Sequence, residues 1–181
     1  MPLKTVVKVG NISNLSDARY CSGMGVEMLG FRVLEGQENY ISPKLYQEIR
    51  GWVTGPKIVA ELYGMTSADQ LPTVIENYAP DYFELTASEF KKFRGHLTLP
   101  CIVAGLASTQ EIAYQLLDEH QLDSYVGSEP LLVKPQTGSD ILQLIKSSKV
   151  AGVALDGSPE LRPGFKDYSD LADILEKLDE D

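Results

Sequence analysis

The chain has the pattern of an α/β protein whose parallel strands close into a barrel, and three observations point there. Short β-branched or apolar runs recur roughly every 20 to 25 residues, each followed by a stretch of helical periodicity, which is the signature of successive βα units. The first run, from Val7 to Asn14, carries neither Gly-x-Gly-x-x-Gly nor Gly-x-x-x-x-Gly-Lys, which argues against an open nucleotide-binding sheet. No Pro-rich or Gly/Ser-rich linker divides the chain, so residues 1–181 are taken as a single domain.

Taken in order, Val6 to Val9 is the first expected strand, and Asn14-Leu15-Ser16-Asp17 caps a helix through Cys21 that Gly23 and Gly25 close. Met28 to Val33 follows, with Ser42-Pro43 opening a helix to Trp52. Lys57 to Leu62 precedes a helix from Ala68 to Tyr78 that Ser67 caps. Tyr82 to Leu85 precedes Glu89 to Phe93, which ends at Gly95. Cys101 to Ala104 leads into a helix over Thr109 to Glu119, signed by Ser108-Thr109-Gln110-Glu111. Ser124 to Val126 is then the sixth strand, Asp140 to Lys146 a helix, Val150 to Leu155 the last strand and Tyr168 to Leu178 the last helix. Between them lies only Leu131-Leu132-Val133, a stub. The expected architecture is therefore a TIM-type (β/α)8 barrel, shortened to seven strands or carrying one degenerate βα unit, since eight units usually take about 200 residues or more.

Composition narrows the function. With 16 Lys+Arg against 26 Asp+Glu the formal charge is -10, and no basic patch offsets it, so nucleic acid and anionic membranes are excluded as partners. No apolar run approaches the roughly 20 residues that span a bilayer, and the start has no signal-peptide core, so a cytoplasmic protein is expected. Cys21 and Cys101 stand far apart with only His96 and His120 beside them in the inventory, which leaves zinc and iron-sulfur chemistry without ligands. No metal and no cofactor is expected, and a homo-oligomer is left open.

The stretch Val7-Lys8-Val9-Gly10-Asn11-Ile12-Ser13-Asn14-Leu15-Ser16-Asp17-Ala18 carries a more specific signal. It resembles the opening of phosphoribosylanthranilate isomerases, the tryptophan-pathway barrels that begin Val-Lys-Ile-Cys-Gly-Ile-Thr-Asn-Leu-x-Asp-Ala. Leu29-Gly30-Phe31, Tyr40-Ile41-Ser42-Pro43, Asp81 to Leu85 and Pro163-Gly164-Phe165-Lys166-Asp167 follow in the family's order. The resemblance implies a site at the carboxyl ends of the strands and an Amadori rearrangement of a phosphorylated aminosugar. That chemistry needs an acid, a base and a phosphate anchor.

Several of the positions that the resemblance marks are altered. The family's base is the first-strand Cys, and here Gly10 stands in its place. Its acid is an Asp ending the sixth strand; matched from Asp123, that position falls on Ser128, with Glu129 next to it as a substitute candidate. The Arg that meets the substrate carboxylate becomes Asn39, and the fourth-strand Gln-x-His becomes Glu84 and Thr86. The last turn reads Asp156-Gly157-Ser158-Pro159-Glu160, with Gly157 and Ser158 as the remaining phosphate donors. The expected function is a degenerate homologue with a binding, regulatory or subunit role for a small phosphorylated or anionic ligand. The alternative is a working aldose-ketose isomerase that uses relocated acids, Glu84, Glu129 or Asp156. Lys8 shares the face of Gly10 and either contacts a ligand or pairs internally with Glu84 or Glu61. Arg32 is a further anion-binding candidate, or lies outward against a helix.

Overall fold

The computed structural model describes residues 2–107, 111–157, 160–162, 165–166 and 169–179. Eight parallel strands form a closed barrel in sequence order, β1 (Val6–Gly10), β2 (Met28–Arg32), β3 (Lys57–Glu61), β4 (Tyr82–Thr86), β5 (Cys101–Ala104), β6 (Tyr114–Asp118), β7 (Leu131–Lys134) and β8 (Val150–Asp156), with β8 closing on β1. Around it lie α1 (Leu15–Gly23), α2 (Pro43–Arg50), α3 (Leu71–Tyr78), α4 (Ala87–Phe93), α5 (Ile141–Leu144) and α6 (Ser169–Leu178), and a two-stranded ribbon of β9 (Glu160–Arg162) and β10 (Phe165–Lys166) follows β8.

The caps explain where the early helices begin. The Asn14 side chain accepts from the Asp17 N–H at 2.9 Å, that of Ser42 from the Leu45 N–H at 3.3 Å, and Thr86 with Glu89 forms a reciprocal capping box. Strand alternation then divides the core in two. Val7, Val9, Leu29, Phe31 and Val103 face outward into the layer shared with the helices, whereas Met28, Val59, Ile102, Leu132 and Ala154 fill the lumen. Counting by twos from the lumen residues sends Lys8, Gly10, Gly30, Arg32, Glu61, Glu84, Asp118, Lys134 and Asp156 inward at the carboxyl ends of their strands.

Two sequence expectations fail in the second half of the barrel. The stretch expected to be helical from Thr109 to Glu119 contains β6, and Ser124 to Val126 is not a strand: Ser124 ends a 3-10 turn over Glu119–Ser124, and Tyr125 and Val126 belong to no strand. Leu131-Leu132-Val133 is no stub: it lies in β7, paired with both β6 and β8. The barrel has eight strands, and what is reduced is the helical layer. Among the described residues no helix lies between β5 and β6, and only the 3-10 turn separates β6 from β7. The cause of the misreading is physical. In β6 both faces carry apolar residues, Leu117 toward the helices and the partly buried Tyr114 and Leu116 toward the lumen, so Tyr114-Gln115-Leu116-Leu117 shows none of the alternation that marks a half-exposed strand.

Candidate site in the barrel mouth

Three charged side chains occupy the floor of the mouth, and each is almost fully buried: Lys8 is 3%, Glu61 2% and Glu84 1% exposed. The Lys8 Nζ lies 2.6 Å from Glu61 Oε2 and 2.8 Å from Glu84 Oε1. Glu61 Oε1 accepts from the Asn11 N–H at 2.9 Å and from Arg32 Nε at 3.2 Å. The sheet register brings these groups together, because Arg32, Glu61 and Glu84 are direct neighbours across β2, β3 and β4. Lys8 thus makes internal ion pairs with both carboxylates, and Arg32 points into the mouth and not outward.

Two glycines make room for this network. A Cβ on Gly10 would sit 2.5 Å from Glu61 Oε2 and 2.5 Å from Lys8 Nζ, and one on Gly30 would sit 2.6 Å from the same Glu61 oxygen. Real Cβ atoms do not show such contacts, so a side chain at position 10 would require the ends of Lys8 and Glu61, and with them their bridge, to shift.

The network also sets its own protonation. Burial alone would lower the Lys8 pKa, but Glu61 and Glu84 outweigh it and keep the ammonium charged. Burial would raise Glu61, yet Lys8, the hydrogen bond from Glu84 and Arg32 hold it well below the carboxylate range. Burial pushes Glu84 up to about 7, Lys8 opposing the rise and Glu61 adding to it. Above the floor, burial and then Glu84 and Glu61 raise the Tyr63 hydroxyl. A proton bound more tightly by the fold than by the unfolded chain stabilises fully below the ordinary carboxyl value of 4.5, and that contribution is lost as the pH climbs to about 7. Glu84→Gln, which keeps the shape but cannot ionise, is therefore expected to flatten the decline of the urea midpoint across this window. A variant whose midpoint falls as steeply as that of the parent would refute the assignment.

The rim adds a second ion pair, Lys134 Nζ to Asp156 Oδ2 at 2.5 Å, both half exposed. Asp118 ends β6 in register with Lys134. Asn39 and Asn11, both with left-handed backbones (φ 58° and 53°), meet through Asn39 Nδ2 donating to Asn11 Oδ1 at 3.3 Å. The Gly157 N–H donates to the Gly10 carbonyl at 2.7 Å, so it is not free to hold a phosphate. Ser158 lies outside the described residues. The floor and the Lys134–Asp156 pair line an open cavity of about 230 Å3.

Two sequence candidates do not reach this site. Ser128 and Glu129 precede β7 at the amino-terminal end of the barrel, where the Glu129 carbonyl accepts from the Tyr125 hydroxyl at 2.8 Å. They cannot act at a mouth formed by the opposite ends of the strands. The residue that ends the sixth strand is Asp118, which the sequence reading passed over because it placed that strand at Ser124 to Val126. Tyr63 and Lys134 were also missed; neither stands in a motif, and only the closed sheet brings them to the mouth. Among the described residues no group of three or more His, Cys, Asp or Glu side chains is placed to hold a metal ion. Burial pushes the thiols of Cys21 and Cys101 up, to about 12 and about 11, as expected of inert core cysteines. No described helix is long and apolar enough to cross a membrane.

Fold and mouth together define an eight-stranded parallel barrel of the TIM type with a charged site at the carboxyl ends of its strands. No family model and no curated protein sequence matches the chain. Among solved structures it is similar to phosphoribosylanthranilate isomerases. One, in complex with reduced 1-(o-carboxyphenylamino)-1-deoxyribulose 5-phosphate, superposes with a TM-score of 0.72 at 18% identity over 95% of this chain and 97% of that one. A monomeric form of the dimeric enzyme from Thermotoga maritima gives 0.72 at 17%, covering 96% and 98%, and the enzyme from Pyrococcus furiosus 0.68 at 15% with the same coverage. The barrel is thus the fold that the sequence resemblance implied.

Proposed function

We propose that the chain, as one barrel domain, keeps the scaffold of a phosphoribosylanthranilate isomerase and has lost the isomerase chemistry, serving a binding, regulatory or subunit role. The observation that carries this reading is the contact at position 10. Where the resemblance puts the catalytic thiol there is Gly10, and the space for any side chain is filled by a salt bridge. A general base contributes about 100- to 10,000-fold, and the Lys8 ammonium, kept protonated by two carboxylates, cannot take its place. Phosphate binding is weakened as well. Asp156 stands at the turn, and the Gly157 amide is already engaged.

A second reading, a working isomerase with relocated acids, is favoured by Asp118 at the end of the sixth strand, where the resemblance puts the general acid, and by the raised pKa of Glu84. Expression of the chain in a tryptophan-requiring host that lacks the isomerase separates the two. No growth rescue is expected. Rescue that is abolished by Asp118→Asn or Glu84→Gln would establish the second reading instead.

A further inference from the structure

Resting on the binding role above, we propose that the mouth cavity is a site for a small polyhydroxy compound without a phosphate, of the size of a free pentose. Three properties of the cavity support this. Its volume of about 230 Å3 corresponds to about seven or eight waters at ~30 Å3 each, room for a pentose, and through Lys134, Ala154, Leu155 and Asp156 it adjoins a neighbouring cavity of about 420 Å3. Its walls mix apolar and polar surface: beside Leu116, Ala154 and Leu155, every residue that lines it is Lys, Arg, Glu, Asp or Tyr. The ring face of Tyr63 that Arg32 covers, with Cζ 5.0 Å from the ring centroid, is not open to an aryl ring.

Charge decides against a phosphate. Every cation in the lining already has a carboxylate: Lys8 has Glu61 and Glu84, Arg32 has Glu61 at 3.2 Å, and Lys134 has Asp156 at 2.5 Å. Three cations meet three carboxylates, and a dianion entering this set would have to compete with them for each cation. A hydroxyl need not compete, since it both donates and accepts. Arg32 spends Nε on Glu61, which leaves its Nη groups to donate toward the cavity, and the half-exposed Lys134 and Asp156 keep spare donors and acceptors on the other wall. A chain of adjacent hydroxyls can bridge from one wall to the other without breaking an ion pair.

The test is isothermal titration of the full-length protein with D-ribose, D-ribose 5-phosphate and inorganic phosphate at one ionic strength. Ribose is expected to bind, its phosphate ester at least tenfold more weakly, and inorganic phosphate not measurably. Lys134→Met and Asp156→Asn, which touch only the half-exposed rim pair and leave the Lys8–Glu61–Glu84 floor in place, are expected to weaken ribose about tenfold with the thermal midpoint kept. The proposal is overturned by tighter binding of the 5-phosphate, by no ribose binding up to tens of millimolar, or by unchanged affinity in both variants. These outcomes are separate from those of the growth test: rescue would end the loss-of-catalysis reading with the titration unaffected, and a failed titration leaves that reading standing.

Discussion

Lys8→Met is expected to cost about 3–5 kcal/mol of stability, the range for breaking a buried ion pair by removing one partner. The ammonium is the shared neutralising group for two carboxylates that are each at most 2% exposed, and without it both face each other across the floor, Arg32 pairing with Glu61 alone. The remaining carboxyls can relieve this by taking up protons, which raises their pKa in the fold and makes stability fall as pH rises. The loss measured by urea unfolding should therefore be larger at pH 8 than at pH 5. Removing the charges together, as Lys8→Met with Glu61→Gln and Glu84→Leu, should recover most of it, because the penalty comes from uncompensated charge and not from lost volume. A single variant within about 0.5 kcal/mol of the parent, the usual range for an unremarkable surface change, would show that the network carries no weight.

The second large effect is expected at Gly10→Cys. The added Cβ would meet Glu61 Oε2 and Lys8 Nζ at 2.5 Å, so the thiol can enter only by displacing the bridge. Overpacking of this kind costs about 1–3 kcal/mol, and strain on a buried ion pair adds to it. Activity should not return, since the carboxylate-binding Arg is Asn39 and catalytic groups that act as a unit are strongly non-additive. The unfolding midpoint should drop while turnover stays at the uncatalysed level. A stable and active Gly10→Cys protein would mean that the floor rearranges freely and that the other roles are still filled.

How much of this could be read in the sequence differs along the chain. From β1 to β5 the strands and caps lie within a few residues of where periodicity puts them, because Asn14, Ser42 and Ser67 sign their helices and the intervening runs are short and rich in apolar residues. Around β6 and β7 the signals fail: β6 is Tyr-Gln-Leu-Leu-Asp, without a β-branched residue, and no helix over the described residues separates it from β5, whereas the helix opened by Asp140, the last strand and the last helix lie close to where they are expected. That one error moved the expected acid from Asp118 to Ser128 and Glu129, at the wrong end of the barrel. The floor was partly readable, since Lys8 shares a face with Gly10 and an unpaired buried lysine is rare. Its consequence was not. That Gly10 and Gly30 are both required by Glu61, 31 residues beyond Gly30, is visible only once β1, β2 and β3 are in register.

The most direct measurement of the central claim is a fluorescence assay of phosphoribosylanthranilate turnover with the purified protein at neutral pH. With the base position filled by the Lys8–Glu61 bridge, the rate of signal decay should not exceed that without protein. A turnover number of about 1 s⁻¹ or more, within the ordinary range of enzymes, would contradict the account.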